Sequence, residues 1–222
     1  MQEVVLDTET TGLSVKDGHR IVEIGCIELD ELIPTKKIFH FYLNPERKVS
    51  EESFKIHGYS DKFLSDKKKF SEIADDFLEF IKDKKIIIHN AEFDIAHINN
   101  ELLIAGKEKI TKINVIDTLD IARNKFPGSA ISLDALCKRF RIDNSKREKH
   151  TALIDCELLS KVYINLIDQK EPKLNFNNLI ETKKNETNKK NTDYSKKIII
   201  PSTEEIKNHK EFLKKNFKRN FF

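Results

Sequence analysis

Two acids, Asp7 and Glu9, stand two residues apart at the end of a short apolar run, Val4, Val5 and Leu6, in the stretch EVVLDTETTGL at residues 3–13. The run has the character of a buried strand. Side chains alternate along a strand, so residues 7 and 9 present two carboxylates to the same side of a sheet edge. Like charges held that close repel and take up protons unless a positive charge lies between them, and a divalent cation is the usual remedy. Taken alone, the segment is equally a strand running into a turn, with Asp7 or Thr8 capping it and Gly12 closing it.

Two further acids sit where acids are costly. Asp94 begins a predicted helix in which Ile98 and Leu102 follow at i+4 and i+8, so it lies on the buried stripe. A carboxylate in a first turn also complements the helix dipole, which is the plainer explanation for this residue alone. Asp155 lines up with Ala152, Leu159, Val162 and Leu166, an apolar stripe on which an unpaired acid would be expensive. A salt bridge inside the core is its alternative explanation. His150 lies five residues before Asp155, on the loop that follows the charged run NSKREK, where its near-neutral pKa suits proton transfer. Read singly, it is an ordinary surface histidine. Together, acids on three separate elements with a histidine beside the last make the inventory of a two-metal phosphodiesterase. In such a site two Mg2+ ions about 3.5–4 Å apart hold the attacking and leaving oxygens of an in-line displacement.

The elements that must position these groups are legible in outline. Residues 19–29 and 37–43 read as two more strands, forming with the first an antiparallel meander. Phe70, Ile73, Ala74, Phe77 and Ile81 have helical spacing over residues 70–81. Residues 86–89 form a strand that breaks into a helix near Asn90, and residues 113–118 a fifth strand. Residues 132–140 form a short helix, and residues 151–167 a longer one with Thr151 as its cap. Three strands followed by alternating helix and strand predict an α/β fold, a mixed five-stranded sheet flanked by helices.

Composition narrows the class further. Of 222 residues, 38% are hydrophobic and 35% charged, and no apolar run reaches the roughly 20 residues of a membrane span. The first strand begins within three residues, which leaves no room for a signal peptide. Cys26, Cys137 and Cys156 are odd in number and widely spaced, as reduced buried thiols are, so a cytoplasmic protein is expected. Residues 181–222 carry twelve Lys or Arg against six Asp or Glu, so the net charge of +3 hides a tail at +6 and a body at −3. The body is therefore no basic platform for nucleic acid; an anionic partner must be met locally or through metal ions.

The tail has its own texture. Residues 169–197 are rich in Lys, Asn and Thr and poor in apolar side chains, which predicts a flexible linker. Ser202 and Glu205 then have capping-box spacing and open a final helix to about Asn216. Its stripe of Ile206, Phe212, Leu213 and Phe217 is too small to be a core and calls for a partner.

In this order DTETTG, HNAEFD and H-x4-D resemble the three motifs of the DEDDh 3′–5′ exonucleases, which share a ribonuclease-H-like fold. Within that superfamily the chain is most similar to the epsilon-type proofreading subunits of bacterial replicative polymerases. The likeness runs through IVEIG, IHGYSDKFL and FPGSAISLDALCKRFRIDNSKREKHTALIDCELLSKVY to residue 163, with a weaker match in IIIPSTEEIKNHKEFL. It implies that Asp7, Glu9, Asp94 and Asp155 bind two divalent cations, Mg2+ or Mn2+, and that His150 is the general base. It also implies that Thr10, Thr11, Leu13, Glu52, His57 and Phe93 meet the terminal nucleotide; for His57 the alternative is a turn residue before Gly58. Thr151 departs from the pattern, which often has Gly after the histidine. The resemblance further implies an exonuclease domain over residues 1–168, the linker at 169–197, and a tail at 198–222 that docks on the polymerase catalytic (alpha) subunit. Other partners it implies are a single-stranded 3′ end of DNA, a small third core subunit and, through residues 169–176 (QKEPKLNF), the sliding clamp; no membrane is among them. The competing expectations are a DEDDh ribonuclease acting on RNA 3′ ends, which needs no tether, and an idle scaffold, which should lack a ligand.

Overall fold

The computed structural model describes residues 2–167 and 201–216. The linker, the clamp-like segment 169–176 and the extended piece at 198–200 lie outside the described residues.

The sheet is built around the first strand. β1 (Gln2–Thr10) lies between β2 (Ile21–Asp30) and β4 (Lys85–Ile88), and β3 (Ile33–Tyr42) and β5 (Val115–Asp117) form the edges, in the order β3-β2-β1-β4-β5. β1 is antiparallel to β2, with Asp7 opposite Gly25 and Glu9 opposite Glu23, and parallel to β4. β2 and β3 are antiparallel, β4 and β5 parallel. This is the mixed five-stranded sheet expected. The carboxyl ends of β1, β4 and β5 share one edge, the place where open α/β sheets bind ligands.

Alternation along β1 divides the core. Val4 and Leu6 pack with Phe39, Phe70, Phe77, Ile98 and Leu102 on one face, against α3 (Ala74–Ile81) and α4 (Ala91–Ile104). Val5 packs with Ile87, Leu136, Cys156, Leu159 and Val162 on the other, against α6 (Leu133–Phe140) and α7 (Ala152–Leu166). Asp7 and Glu9 continue the Val5 face, toward α7. All three cysteines are buried and free.

Some elements differ from their sequence expectation. Residues 70–81 are not one helix: a 3-10 turn over Phe70–Glu72 meets α3 at Ile73, where the Lys69 backbone N–H donates to Glu72 and closes a separate cap. The fifth strand is shorter than expected, because Asp117 accepts from the Leu119 N–H and starts α5 (Thr118–Lys125) instead. Neither α5 nor the short helices α1 (Glu51–His57) and α2 (Asp61–Leu64), capped by Ser50 and Ser60, follows from the apolar spacing. The last helix, α8 (Thr203–Asn216), belongs to a second unit and stands as expected: Ser202 Oγ accepts from the Glu205 N–H while Glu205 accepts from the Ser202 N–H. Among the described residues no helix is long and apolar enough to cross a membrane.

Candidate active site

A cleft of about 480 Å³ opens at the carboxyl ends of the parallel strands, lined by Asp7, Glu9, Phe93, Asp94, His150 and Asp155 together with Thr8, His89, Asn90, Asp134 and Arg147. Three elements deliver the four acids, each by a local device. Asp7 and Glu9 leave β1 on the α7 side. Asp94 rides in the first turn of α4, whose start is pinned by the Asp117 carboxylate accepting from the Asn90 and Ala91 N–H groups. Thr8 then locks the Asp94 rotamer, donating to its Oδ1 from both the backbone N–H (3.1 Å) and Oγ1 (2.7 Å).

Asp155 reaches the strand because Gly25 lets it. α7 begins directly over Gly25, the β2 partner of Asp7; a Cβ at that position would lie 2.8 Å from the Ala152 carbonyl carbon. Cys156 Sγ donates to the Gly25 carbonyl at 3.2 Å, and Thr151 caps the helix by accepting from the Ile154 N–H. Thr151 has φ −139°, extended backbone open to any residue, so a threonine replaces the glycine of the related motif without strain and gains a cap. Glu23, fully buried, accepts from the Ala152 N–H (2.9 Å) and the Tyr59 hydroxyl (2.8 Å), and His40 Nε2 lies 2.7 Å from its other oxygen. It ties the start of α7 to the middle of the sheet.

Glu9, His150 and Asp155 offer ligand atoms that all lie within 4.8 Å of one another, a grouping able to hold a metal ion. Asp94 and Asp155 are each 3% exposed. Burial comes first and neighbouring carboxylates second in holding Asp7 well above the usual carboxylate range and pushing Glu9 up to about 8. Asp94 is pushed to about 7 by burial, against the two Thr8 hydrogen bonds that favour its charge. These acids share a negative potential that Arg147 offsets only in part, the condition a polyvalent cation relieves. His150 is shifted down, by burial and then by the Arg147 guanidinium.

The acids make stability depend on pH with a definite sign. A carboxyl whose folded pKa exceeds its unfolded value stabilises fully below the latter, and the contribution is lost as pH rises through the former. Asp94 and Glu9 ionise at 3.8 and 4.5 when free and near 7 and 8 when folded, so that loss runs up to about pH 8. The depressed histidines His57, His89, His97 and His150 act oppositely, but only below their ordinary 6.5. In chelator, the free energy of unfolding is therefore expected to fall from pH 6.5 to 8, by up to about 1.4 kcal/mol per pH unit for each acid still protonated, the melting temperature falling with it, and Mg2+ should flatten the slope. A melting temperature that rises over this interval in chelator would contradict it.

Of the residues matched to the nucleotide-contacting segments, Phe93 lines the cleft, while Thr10, Thr11, Leu13, Glu52 and His57 lie outside its lining. Leu13 is 82% exposed. His57 is buried at the end of α1, ahead of Gly58 at φ +80°, stacked on Tyr59 and accepting from the Tyr59 N–H. Sequence reasoning missed Arg147, Asp134, Glu23 and Asp117. Glu23 carried a signal, as an acid in the middle of the apolar strand IVEIG; Arg147 carried none that set it apart from its charged neighbours.

Residues 4–163 match the profile of a family described as Exonuclease. The chain is 49% identical to the DNA polymerase III subunit epsilon of Rickettsia felis, over 96% of each chain. It is 46% identical to the protein of that name from Escherichia coli, over 73% of this chain and 70% of the other. Among solved structures it is similar to the nuclease domain of 3′hExo, a DEDDh family member bound to rAMP, with a TM-score of 0.66 at 16% identity, over 78% of this chain and 96% of that one.

Proposed function

The chain belongs to the exonuclease family and is a 3′–5′ exonuclease of the DEDDh type, and from that premise we propose that it works as a proofreading subunit of a replicative DNA polymerase, removing mispaired 3′-terminal nucleotides as 5′-monophosphates. The observation that carries the chemistry is the convergence of Asp7, Glu9, Asp94 and Asp155, with His150, on one cleft.

The donor set fits the divalent cations on which this family depends: hard carboxylate oxygens, buried and outnumbering the positive charge beside them. Two Mg2+ held by the four acids would supply Lewis-acid polarisation and neutralise the charge that develops at phosphorus. His150, at the cleft mouth with its side chain 46% exposed, takes the proton of the attacking water. The water oxygen bonds to phosphorus as the bond to the 3′ oxygen breaks, which frees a 5′-mononucleotide and a 3′ oxygen that takes a proton from solvent to become the new 3′-hydroxyl, while His150 returns its proton to solvent. Phe93 offers a ring against which the terminal base can pack. A paired end must be melted to enter, and a mismatch lowers that cost, so mispaired ends are preferred.

α8 exposes Ile206 and Phe212 among basic residues, the surface of a helix that docks in a groove. We assign it to the polymerase catalytic subunit. The relatives that span nearly the whole chain carry the name of a polymerase subunit, which supports a tethered enzyme over a free ribonuclease.

The test is incubation of the full chain with 3′-labelled single-stranded DNA, matched and mismatched duplexes, and RNA, with Mg2+ or chelator. Mg2+-dependent release of mononucleotides, faster from mismatched than matched ends, is expected. Release from RNA but not DNA would overturn the proofreading assignment. In parallel, deletion of residues 198–222 should leave hydrolysis intact and abolish co-purification with the catalytic subunit; retained association would refute the docking role.

A further inference from the structure

The cleft already contains a cation. Arg147, its side chain only 7% exposed, sets the guanidinium fork on Asp155, with Nε 2.6 Å from Oδ1 and Nη2 2.7 Å from Oδ2. Nη2 also donates to His150 Nδ1 at 2.8 Å, and Nη1 to Asp134 Oδ2 at 2.7 Å. A guanidinium has only donors, so His150 Nδ1 must be the bare nitrogen in this contact, and the imidazole proton then sits on Nε2. One arginine thus engages both oxygens of a proposed ligand and fixes the tautomer of the proposed base.

We propose that Arg147 competes with the divalent cation for Asp155, so that the arginine-bound cleft is a self-inhibited form of the enzyme from which metal uptake releases both Asp155 and His150. The inference rests on Asp155 being a metal ligand. Its physical ground is exclusion: bidentate pairing with a guanidinium uses the lone pairs a metal ion would need, and a positive charge beside the carboxylates raises the cost of a second one. The two neighbours of the pair differ in a way that permits exchange. Asp134 is half exposed and stands in the first turn of α6, where it also accepts from Asn144 Nδ2. It can keep Nη1 after Asp155 is given up, so Arg147 has a second anchor. His150 is held independently, its backbone N–H reaching the Ile56 carbonyl at 3.3 Å, so the base stays at the cleft when the guanidinium leaves. Salt bridge and metal ligand, the two explanations open for Asp155 from sequence, are then alternating states of one residue.

The test is Mn2+ binding by the full chain at neutral pH, with free ion counted by electron paramagnetic resonance, for the parent, Arg147→Met and Asp155→Asn. If the arginine-bound form predominates about nine to one, Arg147→Met, which keeps length and loses charge, binds Mn2+ about tenfold more tightly than the parent, while Asp155→Asn binds it more weakly. Equal or weaker binding by Arg147→Met, with the parent binding normally, overturns the competition and leaves the ligand assignment standing. Absence of binding in the parent overturns both. A second measurement needs no variant: the Arg147 Nε–H resonance of the parent should shift in step with Mg2+ occupancy, and a resonance unmoved at saturation overturns the proposal.

Discussion

Replacing Asp7 by asparagine is expected to slow hydrolysis of a DNA 3′ end by about a thousandfold or more, about 4 kcal/mol of transition-state stabilisation, while the chain in chelator melts no lower than the parent. The two halves of this outcome have one cause. Asp7 sits on the central strand, facing Asp94, Asp155, Glu9 and Glu23, and burial and these four carboxylates push its pKa up. An amide of the same shape is uncharged at every pH and opens no cavity, so the metal-free fold is spared the cost of ionising this buried group. The same change removes an anionic oxygen from the cation site. Turnover within tenfold of the parent would refute the role of Asp7, and a large drop in melting temperature would show that Asp7 is structural instead.

The second large effect is expected at a residue that touches no substrate. Gly25→Ala should lower kcat by about a hundredfold with the acids all in place, because an ångström of displacement at a reacting centre costs on that order. The added Cβ would meet backbone atoms of Ala152 and Leu153 at 2.8–3.0 Å, and backbone cannot rotate aside. α7 must lift, carrying Asp155 away from Asp7 and loosening the Glu23 bond to the Ala152 N–H. Circular dichroism should remain that of the parent while Mn2+ affinity falls. Parental kcat in a folded Gly25→Ala chain would show that the close approach of helix and strand is not what places Asp155.

The candidate site was legible in the sequence to the extent that it violated ordinary rules of placement. Asp155 on a leucine and valine stripe, Asp94 in line with Ile98 and Leu102, and two acids at a strand end are costly unless used, and those residues converge. Strands and long helices followed from periodicity for the same reason, since burial imposes it. What the spacing did not reveal was held by single polar contacts instead. Asp117 starts one helix and pins another through three N–H groups, yet reads as one more residue near the end of a short strand. α1 buries Ser53 and His57, and α5 buries Thr118 and Ala122, so neither carries a stripe of large apolar side chains to declare itself. Arg147 lies in a run of charges that looks like a solvated loop; only the fold brings it back onto Asp155, eight residues away. The break at Ile73 hides within helical apolar spacing, because a 3-10 turn and an α-helix place Phe70, Ile73 and Phe77 on one face alike.

The most direct measurement is anomalous diffraction at the manganese edge from crystals of the full chain grown with Mn2+ and a 5′-mononucleotide. The account predicts manganese in the cleft, in contact with the carboxylates of Asp7 and Asp155, with the guanidinium of Arg147 withdrawn from Asp155. Manganese bound elsewhere, with Asp7 and Asp155 contacting no ion in a protein that still hydrolyses DNA ends, would contradict it.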